Sequence, residues 1–518
     1  MSEKNFKKTV FLMCKEHYSY PMFLAARMVR DRGYRPVLVF VHNAESLLAT
    51  HSYRVYKKYF SDIESIDFGA TYRDFLSSSG IPDGDASFQL RQELSELSAE
   101  NEYWRIRASS QLLSVSDHYR FYFANEPMPE IDRWILAHLL RVRQIFRTYQ
   151  PAVIMDIDNS ELMRTLFYVV AKAERCEYRT LESTRLEDLW VINTSLGRRN
   201  DESLSQRIEA MRPDGEDFSK YDKYLDEHFR SVADYKKHGV ISSQNKPLTE
   251  DILLFFRRFR RLFRKHLNNY RLIGFFKRPR FLAGGLHSIL FFFLYLIRRR
   301  YLLSKWNKYF GSVEEDDDYF FFPLHLIPES TTSIKVPLFL NELDILHIIS
   351  RALPAGVKLI VKEHGAMIGE RPLAFYKKLA KIPNLKLVRL DQFPSSLDWV
   401  LRSRGVITLT GSTGLEAAML GKPAVMLGDT FFVDIKGIER LREFEHLPDI
   451  LTRLARQEKI DNRTSAAKYV KYCRINGIKW PMHTILTEAK RITSQGEDIS
   501  EELLSYLFHY IEGMIKDV

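Results

Sequence analysis

Residues 405–428, GVITLTGSTGLEAAMLGKPAVMLG, decide how this chain is read. An apolar run ends in Gly411-Ser412-Thr413-Gly414, a helical pattern follows, and Gly-Lys-Pro opens a second apolar run. A buried run, a polar turn, a short helix and another buried run make a βαβ unit, and hence a parallel sheet. Thr413-Gly-Leu-Glu416 matches a capping box, with Thr413 as the N-cap and Glu416 reaching back to it. A cap leaves the flanking glycines unexplained. A ligand approaching the backbone closely would use them, and an anion suits the free N–H groups of a helix start.

The same alternation extends outward from this stretch. "YFFF" runs into "PLHLIPESTT", "VKLIV" into "KEHG", "LKLVRL" into "DQFPSS", and "AVMLG" into "DTFF", with helical patterns between most of them. The opening "KKTVFLMCKEHYSYPMFLAARMVRDRGYRPVLVFVHN" reads as strand, loop, helix, strand, with the helix over about 21–32. "PAVIMDIDNS" and "YRTLES" supply further front strands, while residues 61–116 read as polar and helical around a "GIPDGDAS" loop. The expected architecture is α/β: two Rossmann-like, doubly wound lobes with a cleft between them and a basic-aromatic helical insertion. The boundaries fall at 1–241 for a front lobe, 242–315 for linker and insertion, 316–455 for a rear lobe, and 456–518 for closing helices.

Ligands in such folds bind beyond the carboxyl ends of the strands. Those ends carry His325, Glu329, Ser330, Lys362, Glu363, His364, Ser412 and Thr413. Such a charged trio at 362–364 is an ordinary solvated strand end; beside a second polar turn it points to a nucleotide. In the front lobe the corresponding positions hold Glu16, His17, Asp156, Asp158 and Glu182. Asp158 also precedes Asn-Ser-Glu, a plausible helix start.

At 45% hydrophobic and 28% charged the chain has a globular balance, and 518 residues exceed one ordinary core. Cys14, Cys176 and Cys473 are far apart, which argues against a disulfide framework or zinc site and suits a reducing compartment. The basic N-terminus lacks a long apolar core and reads as a first strand, not a signal peptide. Net charge is +11, yet between Ile252 and Val313 there are 15 Lys plus Arg and no Asp or Glu. Aromatics interleave with these cations. Residues 281–297, FLAGGLHSILFFFLYLI, reach the lower limit for a membrane span, and a nucleic-acid surface is the other rival. Nothing in the stretch resembles a nucleic-acid-binding motif, so an anionic membrane surface is the favoured partner, and part of the stretch packs between the lobes.

"FPLHLIPEST", "VKEHG", "FYKKLAKIPNLKLV" and "TGSTGLEAAMLGKPAVMLGDTFF", in this order, resemble the nucleotide-binding half of the capsule polysaccharide biosynthesis proteins, relatives of bacterial Kdo-transferases and sialyltransferases of the GT-B type. The resemblance covers about 318–440 well and the front half in outline. Gly365 replaces the family's usual proline after Lys-Glu-His, and Gly411 replaces the asparagine of its Asn-Ser-Thr turn. The resemblance implies a glycosyltransferase using a nucleotide sugar, possibly CMP-linked, as substrate, with no separate cofactor and no essential metal. By carry-over His364 contacts the donor phosphate and Ser412 and Thr413 bind the phosphate or leaving group. Glu416 holds the ribose or the helix cap, and His325, Glu329 and Ser330 line the cleft. Lys362, Glu363, Gly411 and Gly414 complete the donor set.

The base should come from the front lobe, with Asp158 and Asp156 first, then Glu16 and His17, then Glu182. Asp156-Ile-Asp158 also resembles the metal-binding Asp-x-Asp of the other glycosyltransferase fold. The acceptor would be lipid-linked or a polysaccharide, and the protein peripheral on the cytoplasmic face of the cell membrane. Alternatives on the same fold are a sugar epimerase, a teichoic-acid-type polyol-phosphate transferase, or a non-catalytic assembly protein of the polysaccharide machinery.

Overall fold

The computed structural model describes residues 6–41, 51–68, 85–110, 128–158, 161–195, 203–238, 249–250, 252–253, 255–257, 259–260, 285–327, 329–390, 392–393, 396–433, 435–456 and 462–518. Residues 242–248 of the linker, most of the GIPDGDAS loop and residues 261–284 of the basic insertion lie outside the described residues.

Two sheets organise the chain. The front sheet has seven strands in the order β13-β6-β5-β4-β1-β2-β3. Its core strands are β1 (Thr9–Cys14), β2 (Arg35–Phe40), β4 (Val153–Met155) and β5 (Glu177–Ser183), with β3 (Glu64–Asp67) at one edge. β6 (Leu189–Asn193) and β13 (Ile478–Lys479) finish the other edge, and both of their pairings are antiparallel. The rear sheet has six parallel strands in the order β12-β11-β10-β7-β8-β9. These are β7 (Tyr319–Pro323), β8 (Lys358–Lys362), β9 (Leu385–Val388), β10 (Gly405–Thr408), β11 (Ala424–Met426) and β12 (Ile438–Arg440).

The apolar runs become strands because both faces of each sheet are covered, which removes any call for a polar face. Phe11, Met13, Val37 and Val39 face the helices Met128–Tyr149 and Leu162–Ala173. Val10, Leu12, Leu38 and Phe40 face the opposite layer, formed by Ser19–Asp31, Met482–Gln495 and Glu501–Met514. In the rear lobe Phe320, Phe322, Leu359 and Val361 pack to one side, and Tyr319, Phe321, Ile360 and Val406 to the other.

Chain order reverses at one point in each sheet. In the front sheet β2 and β3 lie to one side of β1 and β4 to the other; in the rear sheet β8 and β9 lie to one side of β7 and β10 to the other. Crevices for ligands open at such switch points. The lobes also touch directly. Lys335 Nζ of the rear lobe lies 2.5 Å from Glu182 Oε1 at the end of β5, Arg105 donates to the Ile334 carbonyl, and Tyr469 OH donates to the Thr184 carbonyl at 2.8 Å.

The basic insertion contributes the helix Gly285–Ser304. Among the described residues no helix is long and apolar enough to cross a membrane; residues 281–284 of the 281–297 stretch lie outside the described set.

Candidate active site

Three loops converge at the rear switch point, each leaving one of β7, β8 and β10. His325, two residues past β7, is nearly buried. Its Nδ1 lies 3.0 Å from Glu342 Oε1 and its Nε2 3.0 Å from Thr408 Oγ1 at the end of β10. Its own N–H also donates to Glu342 Oε1, at 2.7 Å. Glu342 opens the helix Glu342–Ala352 and its carboxylate is wholly enclosed.

Arg371 ties this assembly to the loop after β8. Its buried guanidinium donates to Glu342 Oε2 at 2.7 Å, to the His325 carbonyl at 2.7 Å, and pairs with Glu363 Oε2 at 2.9 Å. Tyr376 OH donates to the same Glu363 oxygen at 2.9 Å. Burial pushes Glu363 up, with Arg371 pulling against it. Burial also acts upward on Glu342, but Arg371 and the His325 donors outweigh it and leave that carboxyl below the usual range. Glu363 is therefore a support, buried and committed to Arg371, and is not aimed at a ligand as the sequence suggested.

His364 is exposed at the mouth. Its Nδ1 accepts the Ala366 N–H at 3.3 Å, which assigns the proton of the neutral ring to Nε2. Loss of water around the ring holds its pKa below the ordinary histidine range, against an upward pull from Glu329. A neutral ring with Nε2–H outward is a hydrogen-bond donor. Lys362, ending β8, has its Nζ 5.8 Å from the Trp399 ring centroid. Burial pushes its pKa down to about 8, with Glu416 pulling it up. The loops after β8 and β10 are tied to one another through His325, whose Nε2 meets Thr408 and whose carbonyl accepts from Arg371.

The capping box shifts by one residue. The helix is Thr413–Met419, with Ser412 at the N-cap in a helical conformation and no side chain capping the N–H groups. Ser412 Oγ donates instead to Glu416 Oε1 at 3.0 Å. Two turns of helix supply little dipole, so the hydroxyls of Ser412 and Thr413, both partly exposed, are what this loop can offer an anion. Gly411 is required sterically: a Cβ there would stand 2.7 Å from Thr408 Oγ1 and 3.4 Å from His325 Nε2. Gly414 is required for another reason than ligand approach, since its Cβ would meet Met426 Sδ at 2.9 Å. Glu329 precedes the helix Ser330–Lys335 that Ser330 opens, and its carbonyl accepts from Thr332 Oγ1 at 2.9 Å.

The front switch point gathers a second group. Asp156 is fully buried; Arg164 reaches both its oxygens, at 2.6 and 3.1 Å, and Tyr178 OH donates at 2.6 Å. The Ile157 and Asp158 N–H groups donate to it as well, at 2.8 and 3.2 Å. This carboxylate holds the loop together, so neither base chemistry nor an Asp-x-Asp metal site suits it. Asp158 keeps its carboxylate 23% exposed, 3.4 Å from Arg164 Nη1. It does not cap the following helix, Leu162–Ala173, whose N-cap is Glu161. Glu16 and His17 are exposed just past β1, and Glu182 is engaged by Lys335.

Sequence reasoning missed Lys15. It pairs with Glu161, is 12% exposed, and burial lowers its pKa to about 8. Glu161 itself sits at φ 89°, ψ 164°, a conformation for which glycine is the natural occupant; holding it costs on the order of 1–3 kcal/mol. Glu342, Arg371 and Thr408 were missed too.

A pH dependence follows from Lys362. Its cationic form favours an anion, predominates below about 8 and is lost above it. Nucleotide affinity should thus fall as pH rises through that value, measured by calorimetric titration, and Lys362→Met should flatten the profile. An equally steep fall in the variant would remove Lys362 from the site.

Two parallel-dominated, doubly wound lobes with polar loops gathered at both switch points define the GT-B class of α/β protein. Residues 311–474 match the capsule polysaccharide biosynthesis protein family, so the resemblance read from the rear-lobe motifs is shown. No curated protein matches the sequence. Among solved structures the chain is similar to a KpsC β-Kdo 2,7 transferase from Thermosulfurimonas dismutans, at 12% identity over 66% of this chain and 87% of that one, TM-score 0.28. It is similar to UDP-GlcNAc 2-epimerase from Methanocaldococcus jannaschii, at 10% identity over 90% of this chain and 99% of that one, TM-score 0.25. Acinetobacter baumannii MurG matches at 9% identity over 90% and 95% of the two chains, TM-score 0.25.

Proposed function

We propose that this chain is a membrane-associated, metal-independent glycosyltransferase of capsule or related surface polysaccharide synthesis, taking a nucleotide sugar, with a CMP-linked sugar as the first donor to try. What supports the reading is that His325 ties the two loops together, bonded to Thr408 at the end of β10 and, through its carbonyl, to Arg371 beyond β8; the same loops carry Lys362, His364, Ser412 and Thr413. On these loops Lys362, His364 and Thr413 carry donors suited to phosphate oxygens, and the Ser412 hydroxyl, which here donates to Glu416, can turn to one as well. They stabilise the charge that develops on the leaving nucleotide, the largest contribution available to such a reaction. A front-lobe carboxylate, with Asp158 the leading candidate and Glu16 the second, takes the acceptor hydroxyl proton. The acceptor oxygen then bonds to the anomeric carbon as the bond from that carbon to the phosphate oxygen breaks, its electron pair leaving with the nucleotide. The acceptor is lipid-linked or a growing polysaccharide, and the protein works peripherally at the inner membrane face.

A thermal-shift screen against CMP, UDP, GDP and CDP tests the donor. One of them should stabilise the protein, because a ligand bound only to the folded state raises its melting temperature. Ser412→Ala should weaken that shift and lower donor turnover about tenfold, by loss of one hydroxyl contact. Unchanged shift and turnover would overturn the site. Product analysis separates transfer from epimerisation, since only transfer enlarges the acceptor.

A further inference from the structure

We propose that the helix Gly285–Ser304, with the described part of residues 252–260, docks on an anionic lipid bilayer, and that docking is transmitted to the donor loop through a backbone seam at Gly369. The second half of this statement rests on the reading of the 362–371 loop as part of the donor site.

The surface comes first. Leu253, Phe256, Phe293 and Ile297 are 56%, 61%, 48% and 49% exposed, large apolar side chains held in water on neighbouring elements. Phe255 bridges the two elements, its ring 6.0 Å from that of Phe293. Exposed Arg257, Arg260, Lys305 and Lys308 flank them. Patches of this kind mark docking sites. A second copy of the chain is disfavoured as occupant, because the whole stretch from Ile252 to Val313 carries 15 cationic residues and no acidic one, and like would meet like. A nucleic acid would answer the charge and leave the phenylalanines in water. Lipid phosphates above an acyl boundary answer both.

The seam comes second. Leu302 of the helix is fully buried in the rear core, which fixes the helix to that lobe. Gly369 lies five residues after His364 and two before Arg371. Its φ is +88°, and a Cβ there would stand 2.6 Å from Arg299 Cβ and 3.0 Å from the Arg299 Cα and N. The helix backbone therefore rests against the loop that carries His364 and leads to the Arg371 anchor, with no side chain between them. A shift of the helix on a bilayer moves the loop, and by reciprocity a filled donor site alters membrane affinity.

The test uses the full chain with phosphatidylcholine vesicles, with and without phosphatidylglycerol, and follows amide hydrogen exchange of residues 364–371. Partition onto the anionic vesicles should be at least about tenfold stronger than onto neutral ones and should weaken at high salt. The exposed-face variant Phe256→Ser/Phe293→Ser/Ile297→Ser should lose about tenfold or more of it. Exchange in 364–371 should slow on vesicle binding in the natural chain, stay unchanged in the triple variant, and stay unchanged in Gly369→Ala, which should still bind vesicles. The natural chain alone decides the coupling should Gly369→Ala fail to fold. Absence of anionic-vesicle binding, self-association through this face, or duplex DNA binding that survives the triple variant would overturn the docking. Vesicle binding with unaltered exchange in 364–371 would overturn the coupling. If both hold while no nucleotide binds and no sugar is transferred, the transferase reading falls and the docking stands.

Discussion

Arg371→Met is expected to destabilise the protein by about 3–5 kcal/mol, because it leaves two enclosed carboxylates without their shared cation. Both Glu342 and Glu363 are fully buried at the side chain, and Arg371 contacts each below 3 Å. The loss should appear as a lower urea midpoint at unchanged slope. It should shrink as pH falls, since a buried carboxyl without a counter-charge takes up a proton more readily and protonation removes the penalty. Adding Glu342→Gln and Glu363→Gln should recover part of the stability by the same logic. A loss under about 1 kcal/mol would mean that water enters this network on mutation, as it does at exposed pairs.

His364→Ala is expected to do the opposite: little to stability, much to rate. Its exposed ring makes one hydrogen bond, to the Ala366 N–H at 3.3 Å, so the folded state should change by about 0.5 kcal/mol or less. As a donor to the leaving phosphate it should be worth about 10²–10³ in kcat, the cost of deleting one preorganised donor to developing charge. Steady-state turnover with the donor found in the nucleotide screen, beside thermal melts, checks both halves. Turnover within about twofold of the natural chain would remove His364 from the chemistry, since no donor to the transition state is that cheap to lose. A large drop in melting temperature would instead make it structural.

The contrast between these two residues explains what could be read from the sequence. The rear strands β7, β8, β9, β10 and β11 were legible because each is an apolar run ended by a polar turn, the pattern of a strand covered on both faces. Edge strands were not. β12 reads Ile-Glu-Arg, β3 reads Glu-Ser-Ile-Asp, and β13 is two residues long, so each is strand only by virtue of its neighbour. At the site the exposed loop residues announced themselves by type, whereas nothing in the sequence around Arg371 and Glu342 marks them as buried. Only the tertiary fold turns them inward. Asp156 shows the same limit from the other side: nothing local tells that an arginine eight residues on will claim both its oxygens. Lys15 went unnoticed just ahead of louder neighbours, Glu16 and His17. The Thr413 cap was one residue off because a capping box and a serine reaching to Glu416 share nearly the same spacing.

The strand Ile478–Lys479 pairs with β6, and the helices 482–495 and 501–514 cover one whole face of the front sheet. The front-sheet core is therefore completed by segments more than 450 positions along the sequence from its first strand, so a long loop closes before it is sealed. Without residues 478–514, Val10, Leu12 and Leu38 have only part of their cover, and a chain cut before them would offer that face to chaperones or to its own copies. Substitutions in the helices 482–495 and 501–514 thus act on the front sheet, despite their distance from it along the chain.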